Sequence, residues 1–288
     1  MTAYRLIALD IDGTILTSDG ALSQRVMRAV REARERGVVV ALATARRWTG
    51  AAIFARELGL DGTQIIYDGA MARSCPDGAV ELVHALEASF VQRAAETLAA
   101  YELQVVTQHS DVQGERLVAS DDPPHPKWMR AYLENFRDQV VYVPLEQVAG
   151  YVPDAVRVVS FGPEPRLQAA LESLDDVALG RQIMPLGSYG IAELTVFSPS
   201  ASKGSGLRWL AQRLGIPMEQ TLAIGDGVND VSMLREAGLG IAMGNAAPEV
   251  QAAARALTAT NDEDGAALAI ERYVLDMDNT HDVTEETA

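Results

Sequence analysis

Cysteine is nearly absent: the 288 residues contain one, Cys75. A single thiol excludes an internal disulfide framework and a cysteine-rich zinc site. Long apolar runs are missing too, and none approaches the ~20 residues that cross a bilayer. Basic charge is scarce. The chain carries 24 Lys and Arg against 40 Asp and Glu, a formal charge of −16. That sign suits neither nucleic acid nor an anionic membrane, and neither is expected as a partner. The opening stretch MTAYRLIALDID lacks a basic segment and a cleavage site, so it does not read as a signal peptide. These absences predict a soluble, reduced, cytoplasmic protein.

Apolar material is plentiful. Hydrophobic residues make up 48% and charged residues 22%, enough for a real core. The length suits one large domain or two moderate ones. YRLIAL at 4–9 and VVVALA at 38–43 read as buried strands, and QIIY at 64–67 as a third. Between the first two, Leu22, Val26 and Val30 recur every four residues, the stripe of an amphipathic helix that stops at Gly37. A second helix ends at Gly59. This alternation is the pattern of a parallel α/β sheet. It resumes near residue 198 with a helix from Ser202, a strand TLAI at 221–224, a helix from Pro248, and strands LGIAM and ALTAT. The stretch between is β-rich, interleaved with helices such as 87–101, and broken by turn clusters. The expected organisation is α/β: a parallel-sheet core from 1–82 and 198–275, and an inserted α+β domain at 83–197. An acidic tail without periodicity, 276–288, is expected to be disordered.

Four motifs fall at the carboxyl ends of predicted strands, where open α/β sheets bind ligands. The first is Asp10-Ile11-Asp12-Gly13-Thr14. Gly13 permits a sharp turn that brings both carboxylates to one centre, one to attack and one to move a proton. The second, Thr44-Ala45-Arg46, offers a hydroxyl and free backbone N–H groups for phosphoryl oxygens, or simply a helix cap. The third is Lys203 at a helix start, where a cation opposes the helix dipole. Either it has an anion to neutralise or it is a surface lysine. The fourth is Gly225-Asp226-Gly227-Val228-Asn229-Asp230, whose hard oxygen donors suit Mg2+. It lacks the spacing and terminal Glu of an EF-hand. Singly, each motif is equally an ordinary turn or cap.

In this order the motifs resemble the haloacid dehalogenase superfamily of phosphotransferases. More narrowly they resemble its Cof-type phosphatases, whose large type IIB-like cap is inserted between the second and third motifs. ALDIDGTIL at 8–16, SKGSGL at 202–207 and IGDGVNDVSML at 224–234 carry most of the likeness, with GIAMGNA at 240–246 and TNDEDGAA at 260–267 behind them. The resemblance implies a Rossmann-like core with an α+β cap. It also implies Mg2+-dependent hydrolysis of a small phosphorylated metabolite through an aspartyl-phosphate. Asp10 would be the nucleophile and a metal ligand. Asp12 would be the acid/base, with its carbonyl on the metal. Thr44, Ala45 and Lys203 would hold the phosphoryl group, with Asn245 near it. Asp226 would ligate the metal, supported by Asn229 and Asp230.

Two positions depart from the family pattern. Ala45 stands where glycine is usual, and Asp68 where asparagine is usual. A site holding Mg2+ and Lys203 is expected to be locally cationic, which would reconcile anion binding with the charge of −16. The cap is expected to close over the site and to choose the substrate, with His109, Arg116, His125, Trp128 and Arg181 as residues that could touch a leaving group. A phosphomutase or phosphotransferase would use the same nucleophile. A phospho-acceptor sensor would not need Asp12, Lys203 and the large insertion together.

Overall fold

The computed structural model describes residues 4–111, 114–121, 127–134, 136–151, 154–174, 180–186 and 191–275. The acidic tail 276–288 and His125 lie outside them. Strand β1 (Leu6–Leu9) is four apolar residues, all fully buried, as a strand covered on both faces must be. Helix α1 (Gln24–Glu35) starts where Ser23 accepts a hydrogen bond from the Val26 N–H. It buries Val26, Ala29, Val30 and Ala33 and gives way to Gly37 at φ +80°. Strand β2 (Val39–Leu42), helix α2 (Trp48–Glu57) and strand β3 (Thr63–Ile66) follow.

Strand β3 departs from expectation. Its ladder is antiparallel with β4 (Met71–Ser74), in a small sheet completed by β5 (Val80–Val83). One bridge, Ala43 to Ile65, is its link to the parallel sheet. Beside that bridge the Gln64 side-chain oxygen takes the Leu42 N–H at 2.8 Å, in the role of a backbone carbonyl.

The next stretch builds its own sheet. Helix α3 (Ala88–Ala100) precedes β6 (Val106–Asp111), β7 (Gly114–Ser120), α4 (Lys127–Glu134), β8 (Val140–Val143), β9 (Ala155–Gly162), α5 (Glu164–Ser173), β10 (Gly180–Leu186) and β11 (Ile191–Phe197). The order is β10-β11-β9-β6-β7-β8, antiparallel except for β7 with β8. Val118, Val158 and Leu194 pack with α3 and α5 on one face. Val106, Leu117 and Val159 pack with Met129 and Leu133 of α4 on the other. Strand β10 contains Pro185. As the edge strand it tolerates the missing N–H. His109 is a core residue of this sheet, 2.7 Å from Thr107 Oγ1.

The remainder returns to the first sheet through α6 (Lys203–Leu214), β12 (Thr221–Gly225), α7 (Val231–Glu236), β13 (Leu239–Ala242), α8 (Pro248–Gln251), β14 (Ala256–Leu257) and α9 (Gly265–Ile270). The helix expected from Pro248 is one turn, and ALTAT yields two strand residues. The sheet order is β14-β13-β12-β1-β2, all parallel. The chain leaves β1 toward β2 on one side, while β12 lies on the other, so their carboxyl ends flank a topological switch point. The chain divides into two compact units, Met1–Glu81 with Ser202–Ala288, and Leu82–Ala201. Among the described residues no helix is long and apolar enough to cross a membrane.

Candidate active site

Asp10 is the first residue past β1. Its N–H donates to the Ile224 carbonyl of β12, 3.0 Å away, and its side chain is buried. The chain then turns through 11–15, with Asp12 extended and Gly13 at φ +72°. A Cβ on Gly13 would strike the Asp226 carboxylate, so glycine is required by both torsion and space.

The loop after β12 is organised by Asp230. Its Oδ2 accepts the N–H groups of Asp226 at 2.9 Å and Gly227 at 2.8 Å. Its Oδ1 accepts from Lys203 Nζ at 2.5 Å, and Lys203 donates also to Asp10 Oδ1 at 2.7 Å. Lys203 is 1% exposed, which settles the surface-lysine alternative. It is delivered by the first turn of α6, capped reciprocally by Ser202 and Ser205. That turn comes close because residue 69 is glycine: a Cβ there would collide with the Ser202 carbonyl. Two buried carboxylates answer the unfavourable helix dipole and hold the lysine's proton well above the ordinary range, against the effect of burial.

Asp10, Asp226 and Asp230 each offer an oxygen, all within 4.8 Å of one another. This all-oxygen set could hold a metal ion. The proton affinities fit such a role. Burial and then Asp230 push Asp10 well above the carboxylate range, against the pull of Lys203. Burial first raises Asp226 to about 6, although Thr14 Oγ1 donates to it at 3.0 Å. Carboxylates brought this close attract protons unless a cation takes their place.

Asp12 points elsewhere. Both its oxygens are taken by Arg46, from Nε at 2.8 Å and Nη2 at 2.6 Å. Thr44 is buried and its N–H donates to the Ile65 carbonyl, while its Oγ1 accepts the Arg46 N–H at 3.1 Å. The N–H groups of residues 44 and 46 are therefore not free. Nor is Thr44 a helix cap, since α2 begins at Trp48 after Arg47. Asn229 Nδ2 donates to Asp68 Oδ1 at 2.8 Å rather than joining the three aspartates. Asn245 Nδ2 donates to the Gly13 carbonyl at 2.9 Å and, longer, to Asp226 Oδ2 at 3.3 Å. Its own oxygen accepts the Asn261 N–H, so it joins the Gly13 turn to the 260–264 loop.

Asp68 sits at φ +53°, buried, and its field acts on Lys203. It does face the site. Asp10, Asp226 and Asp230 thus gather around Lys203, and Asp12 pairs with Arg46. The three aspartates outnumber the lysine between them, so the positive charge expected at the site would have to come from the ion. Sequence reading also passed over Arg46 and Thr14. Both lie inside quoted motifs, and what they hold becomes visible only when the strand ends come together.

A family model described as haloacid dehalogenase-like hydrolase matches residues 7–270. Phosphatase YwpJ of Bacillus subtilis is 29% identical over 288 residues, covering 91% of this chain and 97% of that protein. The 5-amino-6-(5-phospho-D-ribitylamino)uracil phosphatase YcsE of the same organism is 28% identical, covering 94% and 96%. A crystal structure of a haloacid dehalogenase-like hydrolase from Bacteroides thetaiotaomicron superposes with a TM-score of 0.75 at 27% identity, covering 93% of this chain and 99% of that one. Aspartates at paired strand ends, a buried lysine bridging two of them and these relatives agree: the chain belongs to the haloacid dehalogenase-like hydrolase family and is a phosphatase.

Proposed function

We propose that the protein hydrolyses a small phosphomonoester with Asp10 as nucleophile and Mg2+ as cofactor. The observation that carries this reading is the grip on Asp10. Lys203 holds its Oδ1 at 2.7 Å and the β12 carbonyl fixes its backbone, which orients the carboxylate that would attack phosphorus. Lys203 neutralises charge beside the nucleophile, and Thr44 keeps its hydroxyl hydrogen as a donor toward phosphoryl oxygens. Ala45 is assigned to phosphate binding by the family resemblance alone.

Asp10 and Asp226, with the Asp12 carbonyl, are the proposed metal ligands. Asp230 serves the metal indirectly, by tying the loop and the lysine. Asn229 serves it through Asp68, and Asn245 by bracing the Gly13 turn. The ion, when bound, supplies positive charge to a phosphoryl oxygen and keeps Asp10 ionised. The Leu82–Ala201 unit contributes none of these side chains, and the choice of alcohol is the role assigned to it. Asp10→Asn should abolish Mg2+-dependent release of phosphate from an aryl phosphate, measured by phosphate assay. Full activity in that variant would sink the mechanism.

A further inference from the structure

Asp12 is the open carboxylate of the site. Its side chain is 61% exposed, against 8% for Asp10 and 0% for Asp230. An exposed aspartate samples several rotamers, yet a proton donor works only within hydrogen-bond reach of the leaving oxygen. Arg46 removes that freedom. Its Nε and Nη2 take one Asp12 oxygen each, a two-point fork that sets the plane of the carboxylate as well as its place.

The arginine is itself braced. Its N–H donates to Thr44 Oγ1, and its carbonyl accepts the Tyr67 N–H at 3.1 Å. Its guanidinium lies over the Phe54 ring, 4.9 Å from the centroid. Asp10 acts on Arg46 through space, and Asp12 on Asp226, so the fork lies beside the reacting carboxylates. The fork itself is spent on Asp12 and not on Asp10, Asp226 or Asp230.

We propose that Arg46 is the positioning residue for the proton-transfer group Asp12, acting on the departing alcohol through Asp12 rather than on phosphorus. The proposal rests on the phosphatase reading above. In the first step an Asp10 carboxylate oxygen bonds to phosphorus and the ester P–O bond breaks. The electron pair leaves on the alcohol oxygen, which takes the proton from Asp12. In the second step water attacks phosphorus and gives a proton to Asp12. The bond between phosphorus and the Asp10 oxygen breaks, and phosphate departs. Arg46 presents the Asp12 oxygen in both steps, and it must yield one of its two bonds for that oxygen to reach the alcohol.

The consequence is selective. A simple alkyl phosphate needs the proton because its alkoxide is a poor leaving group. p-Nitrophenyl phosphate needs it little, because its phenolate departs unaided. Arg46→Met should lower kcat/KM, which reports the transfer to Asp10, for an alkyl phosphate at least about 10-fold more than for p-nitrophenyl phosphate. Arg46→Lys, which keeps a cation but loses the fork, should fall between. Should the methionine variant melt early, Arg46→Gln is read in the same way.

Equal losses of kcat/KM on both esters would overturn the proposal, since an arginine gripping the phosphoryl group behaves like that. A wild-type protein that hydrolyses neither ester with Mg2+ would overturn the phosphatase reading first and this inference with it. Activity on both esters, lost in Asp10→Asn, isolates the Arg46 question.

Discussion

The substitution Asp226→Asn should stabilise the metal-free protein, although it removes a residue the chemistry needs. Burial holds the Asp226 carboxyl at about 6, above its ordinary 3.8. Between those values the folded chain keeps a proton that the unfolded chain has released. Stability therefore falls as pH rises through that window and stays low above it. The gap of roughly two units is worth about 3 kcal/mol at full strength. The group is partly open to water, so screening leaves about 1–2 kcal/mol. The introduced amide would keep the Thr14 hydrogen bond through its oxygen and would lose only the long contact from Asn245. In a urea titration with chelator at pH ~8, the variant's midpoint should rise by about 0.5 M. At pH ~5, near the middle of that window, the gap should shrink to about half, and it should close only below pH ~4, where the unfolded group is protonated as well. Saturating Mg2+, at ~100 times its Kd, should add about 2.7 kcal/mol to the wild type and far less to the variant. A variant less stable than wild type by the same margin at both pH values would refute the view that these carboxylates are held apart from a needed cation.

Lys203→Met removes the cation between Asp10 and Asp230 and leaves two buried carboxylates facing each other. A loss of about 3–5 kcal/mol is expected in the same titration at pH ~8, shrinking in acid as one carboxylate takes a proton. Asp68→Asn removes one negative charge near Lys203 while its amide oxygen can still accept from Asn229. Inorganic phosphate should then inhibit at roughly five-fold lower concentration, about 1 kcal/mol, read from competition with an aryl phosphate.

The parallel sheet was legible because its strands are short, continuous apolar runs that end in turn chemistry, and β1 and β12 stand where those runs are. A misreading came at β3, which turns to a hairpin partner that no periodicity announces, while Gln64 stands in for a backbone carbonyl beside it. In the site, the motifs located Asp10, Lys203, Asp226 and Asp230. They did not show that Asp12 turns to Arg46 or that Asn229 turns to Asp68. Those pairings join residues 34 and 161 positions apart, and only the assembled strand ends bring them within reach.

The charge problem posed by the sequence takes a different form in the structure. Asp12 and Arg46 cancel as a pair, and Asp10, Asp226 and Asp230 stand around Lys203. A divalent ion reduces that surplus from two negative charges to none and does not reverse it. A phosphate ester is therefore not drawn in by a positive field, as it would be by a basic cleft. On the proposed function it would be held by direct contact with the lysine ammonium and the Thr44 hydroxyl, and a bound ion would supply the remaining positive charge. Such a grip is complete only once the cation is in place. The crowding that raises Asp10 and Asp226 toward protonation is the same crowding that makes a divalent ion the effective competitor for those protons. Acidic excess, poor for attracting substrate at a distance, is on this reading the means by which the site recruits the cofactor that binds it.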